Sequence, residues 1–228
     1  MKRLLTLVFA LTMLTALAGV SSAQRHPVKE ATEATGSLAI AVQGPVASSL
    51  PCCECVGKVT TLNLSTGQSG PNDPLWTVNG TAAHPTTPYP GWMAPTNAQL
   101  NPAKWIQFPN QSTPASNVPA GNYKYSVKFN TPKCVIPSTI TIEGYFAADN
   151  SATVSLDGNP IPTTTCSTNC FNVPQAPVHF SVTVPSNSSH SLDFVVNNLG
   201  GPSALIANVK VTRKCANNQT ATGEIETR

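Results

Sequence analysis

Charged and aromatic residues are scarce in this chain of 228 residues. Only 10% of the residues are Asp, Glu, Lys or Arg, and 6% are aromatic. The 13 basic residues are nearly balanced by 10 acidic ones, so the formal net charge is +3. A nucleic-acid-binding protein needs a concentrated positive surface, which this composition does not supply. We therefore expect no nucleic-acid partner.

The common catalytic sequence patterns are also missing. The chain has no H-E-x-x-H metal pattern, no G-x-S-x-G nucleophile turn and no Gly-rich phosphate loop. A glycosidase needs two carboxylates that face each other across a cleft. Asp149 and Asp157 do not meet this requirement, because they stand at opposite ends of one short predicted strand. We therefore predict that the protein is not an enzyme.

Small polar residues and proline are abundant instead. The chain has 47 Ser and Thr residues, 19 Asn residues and 21 Pro residues. These residue types disfavour helices, whereas Thr favours strands and Asn and Pro favour turns. The apolar fraction of 40% is sufficient for a buried core. The composition therefore indicates an all-β protein.

The N-terminal residues have the pattern of an export signal. Lys2 and Arg3 precede an uncharged apolar run at residues 4–20, and Ser21-Ser22-Ala23 then offers small residues for cleavage. We predict that residues 1–23 are a signal peptide and that the protein is secreted or extracellular, with the cell surface or periplasm as variants. A retained membrane anchor is the alternative, since the run is near the lower length limit for a span. Cleavage leaves 13 − 2 = 11 basic residues against 10 acidic ones, so we expect no attraction to polyanions or anionic membranes. No later segment is apolar for long enough to cross a bilayer, so we expect no membrane insertion afterwards.

Alternation of apolar and polar residues predicts about nine short strands. Tyr123, Tyr125, Val127 and Phe129 fall on one face of the clearest strand, which is the period of a half-buried strand. The Asp157-Gly158 pair is a strong hairpin signal. We expect an antiparallel β-sandwich or barrel in a single domain at residues 51–215, after a flexible linker or pro-segment at 24–50 and before a flexible tail at 216–228. The predicted strands are residues 56–64, 75–78, 104–108, 122–129, 138–147, 152–156, 178–184, 191–196 and 204–211.

A long segment without a clear strand separates Val78 from Trp105. Loops of this length in a compact domain are usually functional or disordered. Trp92 follows Pro90-Gly91 on this stiff loop, where its ring could stack on a sugar or could plug the loop onto the sandwich. If a sugar binds, Tyr89, His84 and Asn97 are expected to contribute the remaining contacts. Trp76 and Trp105 lie in predicted strands and are expected in the core.

Seven cysteines in an exported chain predict disulfides. Because the number is odd, at least one thiol is left free or links two chains, which would allow self-association. Cys166 and Cys170 bracket three residues and are predicted to pair with each other. A metal site at Cys52, Cys53 and Cys55 is the alternative, although zinc sites normally use two spaced pairs. The full set is Cys52, Cys53, Cys55, Cys134, Cys166, Cys170 and Cys215.

Two isolated carboxylates are candidates for calcium. Asp73 follows Asn72, and Asp149 precedes Asn150, so each pair offers the oxygen ligands that calcium prefers. For Asp149-Asn150 the alternative is a turn between two strands, in which Asp and Asn cap backbone amides. We therefore predict no cofactor and no metal site, with calcium at Asp73 or Asp149 as the alternative.

Three stretches resemble the galactose-binding-domain-like jelly rolls of secreted bacterial proteins. They are Ile142-Glu-Gly-Tyr-Phe-Ala-Ala-Asp-Asn-Ser-Ala-Thr-Val-Ser-Leu-Asp-Gly158, His190-Ser-Leu-Asp-Phe-Val-Val-Asn-Asn198 and Gly200-Gly-Pro-Ser-Ala-Leu205. The resemblance covers about residues 56–213. One difference is Asp157, where the family usually has Asn, and the cysteine content is another.

The resemblance implies a jelly-roll β-sandwich whose first and last strands lie side by side. It then implies that Cys215 pairs with one of Cys52, Cys53 and Cys55, and Cys134 with another of them. It also implies a non-catalytic module that binds carbohydrate or a cell-surface glycan. The alternative function is a structural or adhesive protein of an extracellular surface, filament or matrix.

Overall fold

The computed structural model describes residues 48–51, 57–68, 70–108, 115, 117–134, 138–162, 166–173, 175–186 and 188–216. All of them belong to one unit, Val42–Arg228. This part of the chain contains no helix that is long and apolar enough to cross a membrane. The predicted signal peptide, nearly all of the linker and tail, and Cys52, Cys53 and Cys55 lie outside the described residues.

Strands dominate the described residues, and seven of the strands have only two residues. In chain order they are β1 Ser48–Ser49, β2 Val59–Asn63, β3 Trp76–Val78, β4 Thr81–Ala82, β5 His84–Pro85, β6 Ile106–Gln107, β7 Asn117–Val118, β8 Gly121–Thr131, β9 Ser138–Ala148, β10 Ser151–Leu156, β11 Asn159–Pro160, β12 Val178–Val184, β13 Ser188–Asn198, β14 Gly201–Pro202 and β15 Leu205–Cys215.

Two large sheets form the fold, and their pairings are antiparallel except at β1. Sheet A has the order β11-β10-β13-β8-β3-β4, with β1 pairing parallel to β8. Sheet B has the order β12-β9-β15-β6-β5, with β2 also pairing with β15. The short strands β7 and β14 form a separate pair. The predicted all-β sandwich is therefore confirmed.

Each of the nine predicted strands has a counterpart, and the differences lie between them. Residues 48–50, assigned from sequence to the linker, belong to the domain, because β1 pairs with β8 and Leu50 is fully buried. The segment expected to lack strands contains β4 and β5. These two-residue strands are too short to produce a recognisable alternation.

The central core fills the space between the two sheets. Inward positions of β8 and β13 carry apolar side chains at every second residue, as in Val127 and Phe194. The Phe194 ring lies 5.1 Å from that of Phe146 on β9. Trp76 is fully buried here, and its Nε1 donates to the carbonyl of Leu64 at 2.7 Å. The prediction that Trp76 is a core residue is confirmed.

The first long strand and the last strand are neighbours. β2 pairs antiparallel with β15, with Val59 opposite Lys214 and Asn63 opposite Lys210. β15 also pairs with β9 along its whole length. The side-by-side arrangement implied by the resemblance is therefore present.

The predicted hairpin turn is also present. Asp157 and Gly158 both have positive φ, at 52° and 79°, and they join Leu156 directly to Asn159 in the β10–β11 hairpin. Positive φ at both central residues defines the turn type that Asp-Gly favours. Asp149 lies before β10 and Asp157 lies after it, so the two carboxylates are held at opposite ends of this strand.

Candidate functional site

A second apolar group, here called the outer cluster, lies outside the sandwich. The loop at residues 86–105 contributes Trp92, Met93 and Trp105, which pack with Ala147 and Ile206 of sheet B. Trp105 is fully buried, as predicted, but in this cluster rather than between the sheets. The remaining members are Leu100, Ala103, Ala115, Ala176 and Ala204, with Tyr145 and Phe171 against them.

Trp92 is a buried member of this cluster. Its side chain is 8% exposed, and its ring centroid lies 4.5 Å from that of Trp105 with an angle of 35° between the planes. Its Nε1 donates to Asp149 Oδ2 at 2.9 Å. The predicted solvent-facing platform is therefore wrong: the ring has its apolar face on another ring and its polar atom on a buried carboxylate. Trp92 instead anchors the loop to the sandwich, which is the alternative role given for it in the sequence analysis.

Asp149 is a buried carboxylate in contact with the loop at residues 86–105. The residue is 5% exposed, and its Oδ1 is buried without a hydrogen-bond partner. Burial raises the pKa of this carboxyl to about 6, and the hydrogen bond from Trp92 opposes that rise. Across the described residues, no three His, Cys, Asp or Glu side chains converge on a point.

Asp73, the other calcium candidate, organises a turn. Its carboxylate accepts from the backbone N–H groups of Gly67, Leu75 and Trp76, and the residue is 2% exposed. Burial raises the pKa of Asp73, and these three hydrogen bonds act in the opposite direction. The carboxylate therefore fixes the entry into β3.

A surface cavity of about 380 Å³, here called the loop cavity, opens where residues 91–97 meet residues 172–173. Trp92 and Asn97, two of the four predicted ligand-binding residues, line it. Tyr89 is 43% exposed, and its ring lies 6.2 Å from that of Trp92. His84 is elsewhere, paired in β5 with Gln107 of β6. The lining residues are Gly91, Trp92, Met93, Ala94, Thr96, Asn97, Asn172 and Val173.

The two amides of the loop cavity have complementary free groups. Asn97 Oδ1 accepts from the N–H of Gln99 at 2.9 Å, which leaves the Nδ2 protons of Asn97 to donate. The surroundings of Asn172 favour the orientation in which its Nδ2 donates to the carbonyls of Val173 and Asn169, which leaves Oδ1 to accept. The cavity therefore offers one amide donor and one amide acceptor beside apolar surface.

A larger cavity of about 480 Å³, here called the edge cleft, lies at the other end of β12. It is bounded by the β10–β11 hairpin, the end of β12 and the start of β13. Its apolar walls include Leu156, Ile161, Val182 and Val184. Its polar lining includes Asp157, Ser181, Thr183, Ser188, Ser189 and His190.

His190 joins the hairpin to β8 below the edge cleft. Its Nδ1 lies 2.8 Å from Asp157 Oδ2, and its Nε2 lies 3.2 Å from Thr131 Oγ1. The order of these groups is that of a hydroxyl–imidazole–carboxylate row. Thr131 is nevertheless fully buried, and its hydroxyl also lies 3.0 Å from the carbonyl of Pro185. The Thr131 hydroxyl is therefore engaged inside the fold, and the row ties β8, β13 and the β10–β11 hairpin together.

The described cysteines are disulfide-bonded. Cys166 pairs with Cys170, with their Cα atoms 5.6 Å apart, as their spacing predicted. Cys134 and Cys215 are also in disulfides, and the partners predicted for them lie outside the described residues. Nearby, the buried Arg213 donates to the carbonyls of Pro51 and Pro132 at 3.0 and 2.8 Å and contacts the sulfur of Cys134.

Sequence reasoning missed Asn172 and the role of Asp149 as the acceptor for Trp92. One signal was available. Apolar residues are consecutive at Phe146-Ala147-Ala148 and at Leu205-Ile206-Ala207, and all six are buried. Consecutive buried positions mean that both faces of sheet B are covered at this end, so an outer layer was required. No family model matches the chain, and no curated protein shows significant similarity to it.

Proposed function

We propose that this domain is a secreted, non-catalytic binding module for carbohydrate and that the loop cavity is its binding site. The observation that carries the proposal is the convergence of free amide groups and exposed apolar surface on one cavity. Its volume of about 380 Å³ is within the range of roughly 300–1,000 Å³ that small-ligand sites occupy.

The lining suits the two kinds of surface on a sugar. A sugar ring presents C–H groups that pack on apolar or aromatic surface and hydroxyls that both donate and accept. The 75% exposed side chain of Val173 in the lining supplies the first kind of contact. The exposed ring of Tyr89, which is not a lining residue but lies 6.2 Å from the ring of Trp92, extends this apolar surface. Asn97 as donor and Asn172 as acceptor supply the second.

The loop is anchored at several points. This anchoring favours binding because the loop then loses little conformational entropy when a ligand binds. Trp92 and Trp105 fix one side of it to sheet B. The N–H of Met93 donates to the carbonyl of Phe171 at 2.6 Å, which joins the two chain segments that line the cavity. The Trp105 Nε1 donates to the carbonyl of Met93 at 3.0 Å and reinforces the same point.

Two further features support the proposal. The pairing of β2 with β15 agrees with a galactose-binding-domain-like jelly roll, a fold in which sugar-binding modules occur. The burial of Thr131 supports a non-catalytic role, because it removes the hydroxyl of the Thr131–His190–Asp157 row from any substrate.

The test is a glycan array followed by calorimetric titration with the oligosaccharide that binds best. Tyr89→Ala and Asn97→Ala should each weaken binding about 5- to 30-fold, since each removes a contact worth about 1–2 kcal/mol. Both residues lie outside the buried clusters, so thermal stability should change little. Asn122→Ala, which removes a surface amide from sheet A, is the control and should bind as the wild type does.

Normal binding by both loop variants would place the sugar site elsewhere on the domain. A wild type that binds no glycan on the array would reject the carbohydrate proposal and favour the structural or adhesive alternative.

A further inference from the structure

β12 is the outermost strand of sheet B. Within the described residues its only strand neighbour is β9, from Val178 opposite Phe146 to Val184 opposite Ile140. The opposite side of β12 therefore presents backbone N–H and C=O groups to whatever approaches it. A free strand edge of this kind is a template for pairing with another chain.

β12 is the longest of the edge strands in these strand orders. β4, β5 and β11 each have two residues, β5 and β11 contain Pro85 and Pro160, and β2, which pairs only with β15, has five residues. β12 has seven residues with the sequence Val-His-Phe-Ser-Val-Thr-Val, without proline, lysine, arginine or a carboxylate. Short strands, proline and charge are the usual means of blocking edge pairing, and β12 uses none of them.

The edge cleft gives an added strand somewhere to place its side chains. Ser181, Val182, Thr183 and Val184 of β12 line one side of it. The opposite wall comes from Leu156 and from Pro160, Ile161 and Pro162. Alternate residues of a strand added to β12 would point into this apolar space, because side chains alternate along a strand.

The charges and the pattern of β12 fit a second copy of itself. No lysine or arginine lines the edge cleft, and its one carboxylate, Asp157, is engaged by His190. Two β12 strands can therefore meet without like charges facing each other. In an antiparallel pair of β12 strands, the inward-facing residues of one copy lie opposite the inward-facing residues of the other. Val182 and Val184 then face apolar side chains, and Ser181 and Thr183 face polar ones.

We propose that two copies of this domain associate edge to edge through residues 181–184 of β12, forming one continuous sheet across a two-fold axis. The interface is isologous, since the same strand is used by both copies. This inference goes beyond the proposed sugar binding and is independent of it, because the loop cavity shares no lining residue with the edge cleft.

The test is sedimentation velocity on the mature domain up to sub-millimolar concentration, with a pair of matched variants. Thr183 on β12 and Thr141 on β9 are register partners on the outer face of sheet B. Thr183→Lys puts like charges across the two-fold axis and should convert the dimer to monomer. Thr141→Lys adds the same charge one strand inward and should leave the dimer intact. Ser181→Lys is a second edge variant, and circular dichroism verifies the fold of each.

Hydrogen exchange gives an independent readout. Amides of residues 181–184 should exchange more slowly as the concentration of the wild type rises, and this change should be absent in Thr183→Lys.

Three results would overturn the proposal. They are a wild type that is monomeric throughout, an equal loss of dimer in Thr141→Lys and Thr183→Lys, and a dimer that is covalent on a non-reducing gel. A further experiment adds an unrelated extended peptide to the domain. If the domain stays monomeric and residues 181–184 then exchange slowly, the edge of β12 binds a peptide ligand instead.

Discussion

The central core and the outer cluster are built in different ways from the same chain. The central core lies between two sheets, and each strand supplies it with every second residue, as in β8 and β13. The outer cluster has one sheet face on one side and a loop on the other, and its largest side chains, Trp92 and Trp105, lie outside regular alternation. The central core therefore depends on the regular alternation of side chains along its strands, whereas the outer cluster depends on two individual tryptophan rings.

This difference has a consequence for polar atoms. The indole of Trp76 in the central core donates to a backbone carbonyl, that of Leu64, which is neutral at every pH. The indole of Trp92 in the outer cluster donates to a carboxylate, that of Asp149, which titrates. The indole hydrogen bond in the central core should therefore be insensitive to pH, whereas the one in the outer cluster should respond to it.

The largest effect is expected from Trp76→Ala. Emptying a fully buried indole site between the sheets should lower the free energy of unfolding by about 3–5 kcal/mol, and the carbonyl of Leu64 also loses its donor. Chemical denaturation followed by circular dichroism measures this loss. A cost below about 1 kcal/mol would mean that the central core can collapse around the vacancy, contrary to its close packing.

Trp92→Ala should come next, at about 3 kcal/mol, the lower end of the range for buried tryptophan. The ring lines the loop cavity, so water can enter part of the space that it leaves. A ring that faced solvent could be removed with little loss of stability, but the ring of Trp92 is buried and stacked on Trp105. The same denaturation experiment measures this loss. An unchanged free energy of unfolding would show that the loop does not depend on Trp92 for its attachment to sheet B.

The smallest effect is a pH dependence carried by Asp149. Its folded pKa of about 6 exceeds the unfolded value of 3.8, so between these values the folded state holds a proton that the unfolded state has released. The free energy of unfolding should therefore fall as pH rises from about 4 to about 7, by about 2–3 kcal/mol. Asp73 changes stability in the same direction, since its pKa is also raised.

Asp149→Asn isolates this contribution. The asparagine side chain can still accept from Trp92 but does not titrate, so its stability curve should be flatter than that of the wild type by the same amount. Unfolding midpoints measured for both proteins across this pH range make the comparison. Parallel curves would show that Asp149 is not the titrating group.

The central core could be predicted from the sequence, whereas the packing of Trp92 in the outer cluster could not, and the reason is physical. The alternation of Tyr125, Val127 and Phe129 is local, so it can be read from one strand. The burial of Trp92 depends on Ala147 and Ile206, which are far away in the chain and meet the loop only after the sheets have formed. The turn at Asp157-Gly158 was predictable because it depends on two adjacent residues, whereas the Asp157–His190 pair depends on strand register.

The position of β15 determines when this domain can fold. The strand comes last in the described chain, yet it lies inside sheet B, with β9 on one side and β2 and β6 on the other. A chain that emerges from the ribosome or through a membrane pore N-terminus first cannot complete sheet B until Cys215 has appeared. Pairings as distant as Lys214 with Val59 also make folding slow, because the loop must close before any contact is gained. Assembly therefore waits for the whole domain, and a chain cut short before Leu205 lacks the strand that joins the two halves of the sheet.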